Sequence, residues 1–94
     1  MAAVGVLTME IRIEHAHSLK EKRHVVKSLK DRLRNKFNVA VAEIVDQDLH
    51  NSAVLAAVTV SSSREFAAKV LQSVEDEAAS QLGPMLVRAD VEWL

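Results

Sequence analysis

The sequence predicts an α+β domain of the ferredoxin-like kind, βαββαβ, with a four-stranded antiparallel sheet and two helices on one of its faces. Three observations carry that expectation. Apolar and polar residues alternate over residues 7–14 and again over 87–93, the period-2 signature of a strand with one buried face. Two long segments follow the 3.6-residue period of a helix instead, each opened by a serine three residues ahead of a glutamate. Between those segments lie two apolar runs joined by a short polar connection, the pattern of antiparallel neighbours.

Residues 4–14 form the first strand, in which Leu7, Met9, Ile11 and Ile13 alternate with Thr8, Glu10, Arg12 and Glu14. The first helix spans residues 17–38, about 20 residues and roughly 30 Å. Ser18 and Glu21 supply a capping box, Leu19, Val26, Leu29, Leu33 and Phe37 share one side, and Asn38 closes the helix. Residues 39–46 form the second strand. Its alternation is blurred; Ala40, Ala42 and Ile44 are assigned inward because Glu43, on the side of Val39, Val41 and Val45, belongs in water.

Residues 47–52, QDLHNS, make the turn to the third strand, residues 53–60, whose Val54, Ala56, Val58 and Val60 share one side. Ser62 and Glu65 open a second helix that runs to about Leu82 and buries Phe66, Val70, Val74 and Ala78. Gly83 suits the position after the helix, and Pro84 prevents its continuation. In the last strand, residues 86–94, Val87, Ala89, Val91 and Trp93 point in, while Arg88, Asp90 and Glu92 point out. The expected strand order is 4-1-3-2. The sheet face without helices then carries Thr8, Glu10 and Arg12 beside an apolar half made of Val39, Val41, Val45, Leu55 and Ala57, with Thr59. That apolar half resembles a partner surface, most simply for a second copy in a homodimer.

With 94 residues, 49% of them hydrophobic, residues 1–94 make one domain with a modest core. The chain has no cysteine, which excludes disulfides, thiolate metal sites and thiol nucleophiles. No signal peptide is expected, since no basic region precedes an apolar run at the N-terminus, and no stretch reaches membrane-spanning length. A cytoplasmic setting without membrane contact is the expectation.

Charge is the most informative feature. Residues 17–38 hold eight of the twelve Lys and Arg and two of the thirteen acids, a net of +6, so the remaining residues carry 4 − 11 = −7. The overall net charge of −1 conceals this division. Lys20, Arg23, Lys27, Lys30 and Arg34 follow one another by 3, 4, 3 and 4, which stacks them on one helical face. Like charges at that spacing repel, so the row costs helix stability and points to an anionic partner. The plainer reading is a solvated face whose aliphatic stems cover core edges. Lys22 falls within the apolar stripe, and its ammonium is expected to snorkel at the helix start.

No catalytic constellation emerges, so no enzyme activity, cofactor or metal is expected. His15 and His17 point opposite ways in an extended segment, His24 and His50 are isolated, and Asp46 and Asp48 suit local backbone bonds in a turn. Ser61, Ser62 and Ser63 read as capping residues. Phosphate-loop, dinucleotide-binding and nucleophile-elbow motifs are missing from the sequence. RNA-recognition modules of this architecture stack bases on sheet aromatics. Phe37, Phe66 and Trp93 fit core or edge positions instead, which leaves the basic helix as the means of contacting RNA.

The segments HSLKEKR (17–23), RLRNKFN (32–38), VAE (41–43) and QDL (47–49) resemble the YlxP-like family of small bacterial proteins, and the resemblance covers nearly the whole chain. It implies a ferredoxin-like fold and a cytoplasmic bacterial setting. Family members are often encoded beside translation-initiation and ribosome-maturation factors, which implies a ribosome-associated role. The family supplies no catalytic residues to carry over. Three functions follow as expectations: an RNA- or ribosome-associated protein contacting phosphates through the basic row, a protein-interaction module for an acidic partner, and a binder of small anionic metabolites or an unrecognised enzyme.

Overall fold

The computed structural model describes residues 1–45 and 48–94. Its elements are β1 (Ala3–Arg12), α1 (Leu19–Lys36), β2 (Ala40–Val45), β3 (Ser52–Ser61), α2 (Arg64–Leu82), a single 3-10 turn (Gly83–Met85) and β4 (Leu86–Trp93). The strands form one antiparallel sheet in the order β2-β3-β1-β4, which is the expected order. Both helices pack on the same face, so the fold is ferredoxin-like.

Helix α1 starts where its capping residues dictate. The Ser18 hydroxyl accepts from the Glu21 backbone N–H at 3.2 Å, and the Glu21 carboxylate accepts from the His17 N–H at 3.0 Å. The return bond thus reaches one residue further back than a standard capping box. Helix α2 is capped by Ser63 rather than Ser62: its hydroxyl accepts from the Phe66 N–H at 3.1 Å. Gly83, at φ 57°, ends α2 in a backbone region that residues with a Cβ seldom occupy.

The core lies between sheet and helices. Leu7, Met9, Ile11 and Ile13 of β1 and its extension meet Leu29 and Leu33 of α1 and Leu71, Val74 and Ala78 of α2, as expected. Phe66 departs from expectation: it is 60% exposed on α2, and Ala67 takes the buried position. Gly5 lets Trp93 and Leu71 close over β1. A Cβ there would stand 2.7 Å from Leu71 Cδ1 and 2.8 Å from Trp93 Cζ3. The Arg64 guanidinium lies over the Trp93 ring, 4.7 Å from its centroid.

The two central faces of β2 and β3 are the reverse of the sequence expectation. Val41, Leu55 and Ala57 are buried beneath the helices, and Val39 packs against the same core. Ala40, Ala42 and Ile44 are exposed, and Val54, Ala56 and Val58 lie half-buried on the open side with Val60. The two reversals are one event. Val41 pairs with Ala57 and Glu43 with Leu55, so both strands turn together, and a one-residue shift exchanges every side chain between faces. Ala53 and Ala57 are fully buried, and the Thr59 hydroxyl inside donates to the Asn38 carbonyl at 2.9 Å. Of the five residues expected at a dimer face, Val45 alone is on the open side. The register shifts between Glu43 and Val45 and sets Val45 opposite Val54.

In β4, Ala89 and Trp93 pair with Met9 and Gly5 and pack against the core, as expected, whereas Val91, opposite Leu7, is exposed. Val87 does not join the core either. A register shift pairs Leu86 with Ile11 and leaves Val87 exposed.

Candidate functional site

Three sets of cations emerge from the eight on α1, and position on the helix separates them. Arg32 and Lys36 face α2, where both hold Glu77: Arg32 Nε lies 2.7 Å from Oε2 and Lys36 Nζ 2.6 Å from Oε1. The Lys36 hydrogen bond, with the charges of Lys36 and Arg32 behind it, holds the Glu77 carboxyl below the usual carboxylate range against the opposing effect of desolvation. These two cations tie the helices together.

Lys22 forms the second set by itself. It is 1% exposed, within the apolar stripe as the sequence indicates, but its ammonium does not reach solvent. Nζ lies 2.8 Å from the Glu43 carboxylate and donates to the Leu49 carbonyl at 2.6 Å. Nearby, His50 Nδ1 stands 3.0 Å from the Ala16 carbonyl, and the Ile13 N–H donates to the Asn51 carbonyl at 2.8 Å. The segment after β2 is therefore docked on the β1–α1 connection. The expected roles of Asp46 and Gln47 in this turn lie outside the described residues; Asp48 is exposed.

The third set is the row. Arg23, Lys27, Lys30 and Arg34 converge on one open groove of about 400 Å³ between α1 and the edge strand β2, with Val26, Asp31 and Glu43 completing its lining. Lys20, one turn earlier, is not in that groove and lines a separate hollow with His15, Ser18, Glu21, His24 and Val25. From Lys20 to Arg34 the row spans 14 residues, about 21 Å along the helix. Two members are engaged locally. Lys27 Nζ is 2.7 Å from Asp31 Oδ2, an exposed pair, and the Arg34 guanidinium donates to the Val41 carbonyl at 2.8 Å. Lys20, Arg23 and Lys30 have no hydrogen-bond or ion-pair partner among the described residues. The Lys27 hydrogen bond, followed by the charges of Lys27, Arg34 and Lys30, keeps the Asp31 carboxyl below its ordinary range despite desolvation.

Sequence spacing thus finds the row, and the structure adds Asp31 and Glu43 to its surroundings. It also shows what spacing missed: Glu43 faces inward, toward Lys22. Among the described residues no group of three His, Asp or Glu side chains is arranged to hold a metal ion. Among the described residues no helix is long and apolar enough to cross a membrane.

Residues 4–91 match the family described as a protein of unknown function, DUF503. The chain is 44% identical over 71 residues to the uncharacterized protein YlxP of Bacillus subtilis (strain 168), covering 76% of this chain and 77% of that one. Among solved structures it is similar to the de novo designed protein Foldit4 (TM-score 0.62, 12% identity, 100% of this chain and 97% of that one). It is also similar to a dimeric ferredoxin-like protein from an uncultured marine organism (TM-score 0.51, 15% identity, 98% and 84%). At such identities these two likenesses concern the fold alone.

Proposed function

The chain belongs to the DUF503 family of proteins of unknown function, and from that premise we propose that it is a non-enzymatic, RNA- or ribosome-associated protein that contacts phosphates through α1. One observation carries the reading: Arg23, Lys27, Lys30 and Arg34 line a single groove, in which four cations outnumber the two acids Asp31 and Glu43. Counterion release from a phosphate backbone rewards such an array, whereas a merely solubilising face gains nothing from convergence. Arg34 supports it geometrically. One of its five N–H donors rests on Val41, which fixes the guanidinium beside the groove and leaves the others for an incoming oxyanion.

The position of the aromatics favours phosphate contact over base stacking. Phe37 and Trp93 pack against the core, and Phe66 is on α2, so the open sheet face offers no stacking platform. The working unit in this reading is a homodimer.

Filter binding of a structured RNA across a salt series tests it. Wild type is expected to bind, and the double reversal Lys27→Glu/Lys30→Glu to bind weakly with a shallower salt dependence. Coincident curves for the two proteins defeat the RNA reading and favour an acidic protein as the partner of α1.

A further inference from the structure

We infer that a second copy of this chain docks on the open sheet face, with β3 stacked on its counterpart about a two-fold axis. The inference deepens the homodimer reading above and rests on it. Cross-strand pairing gathers the apolar residues of this face into one patch. Val6 and Ala40 flank Val58, Thr8 and Ala42 flank Ala56, Val45 stands beside Val54, and Val4 beside Val60. The described residues of β2 and β3 place no charged side chain on it, since Glu43 points the other way, to Lys22; on β1, Glu10 beside Val54 and Arg12 beside Ser52 bound the patch at one end.

The size of the patch suits this occupant. Strands β1 and β3 are each ten residues long. Three strands at about 4.8 Å spacing and about 3.4 Å per residue give a face of roughly 14 by 30 Å, or about 800 Å² in projection over two copies. Side-chain relief and the flanking β4 strand bring the accessible area lost to about the 1,000 Å² expected of a specific interface.

The arrangement is also self-complementary. A two-fold axis along β3 lays β2 over the partner copy's β1 and leaves β4 at the margin. Arg88, Asp90 and Glu92, on the same side as Glu10 and Thr8, then form a solvated polar rim around an apolar centre. Edge-to-edge pairing is less favoured. The Val41 carbonyl on β2 is occupied by Arg34, the register of that strand shifts near its end, and pairing there would bring two basic rows together. Stacking through the faces keeps both rows on the outside, free for phosphate.

Sedimentation at micromolar concentration tests the inference, on wild type, Val58→Glu, Val54→Glu and the surface control Ala79→Glu. The expected result is a dimer for wild type and control, and a dissociation constant raised at least a hundredfold in both valine variants, with unchanged circular dichroism. Because the chain has no cysteine, Ala56→Cys gives a second readout independent of those variants' folding. A short bismaleimide should join two Ala56→Cys copies and leave Ala79→Cys uncoupled. A monomeric wild type overturns the homodimer reading itself. A wild-type dimer that survives both valine substitutions, or in which Ala56→Cys fails to cross-link, overturns only the choice of face.

Discussion

The Lys22 ammonium and the Glu43 carboxylate meet at 2.8 Å beneath α1, with Lys22 1% and Glu43 17% exposed. Each looks misplaced in its own element: a lysine in an apolar helical stripe, a glutamate on the inner side of a strand. Together they are consistent, since a buried charge is tolerable only when it is paired and hydrogen-bonded. The ammonium also donates to the Leu49 carbonyl, which ties residue 49 to α1. Removing one partner strands the other. Lys22→Met or Glu43→Leu is expected to cost about 3–5 kcal/mol, and the double variant clearly less than the sum. Urea denaturation of the three variants checks this; additive losses would mean that the two charges do not support each other.

The same pair explains where sequence reading succeeds and where it fails. Element order, strand order, the α1 core stripe and the basic row all follow from periodicity, because each depends on neighbours a few residues apart. The faces of β2 depend on a residue 21 positions away. Read locally, Glu43 belongs in water, and that choice sends Val41 outward; the valines of β3 then look like the better core set. With Lys22 waiting inside, the preference reverses, and Leu55 and Ala57 come in with Val41 through cross-strand pairing. The clue was present as an anomaly on each element, but joining the two required knowing that α1 crosses β2. Phe66 has a similar origin: capping by Ser63 rather than Ser62 accompanies a helix whose buried line begins at Ala67. A charge at Val41 or Leu55 therefore attacks the core and cannot report on a dimer.

Leu29 and Leu33 are both fully buried at the centre of α1 and belong to one core cluster with β1 and α2. Truncation of either to alanine is expected to cost about 2–5 kcal/mol, the transfer loss plus the residual cavity. The denaturant midpoint should fall with little change in slope. Near-neutral effects at both positions would contradict this packing of α1.

Glu77 gives a pH dependence with a defined sign. Its folded-state carboxyl lies below the ordinary range because of the Lys36 hydrogen bond and the charges of Lys36 and Arg32. A depressed pKa contributes stability that is present above the unfolded value and lost as pH falls through the folded one. The stability difference between wild type and Glu77→Gln should therefore be full near neutrality and shrink as pH drops below about 4. Thermal melts of both proteins over that range measure it. A difference that grows toward acid would show that these contacts do not favour the ionised carboxylate.

Asp31 offers the sharpest test of the row, because it is the acid that competes for it. Five engaged cations predict a log–log salt slope of roughly −3.5 to −4.5, at about 0.7–0.9 per phosphate. Reversing Lys27 and Lys30 leaves three, or roughly −2.1 to −2.7. Asp31→Asn acts in the opposite sense. It removes a negative charge from the groove and releases Lys27 from an exposed pair that solvent and salt already weaken. RNA affinity should then rise by up to about fivefold at low salt and converge on the wild-type value as salt screens the groove. Lys69, exposed on α2, lies outside this competition, so Lys69→Gln should retain the wild-type slope. An Asp31→Asn protein that binds RNA more weakly than wild type, or a Lys69→Gln protein whose slope falls by a full cation, would mean that phosphate does not enter the groove between α1 and β2.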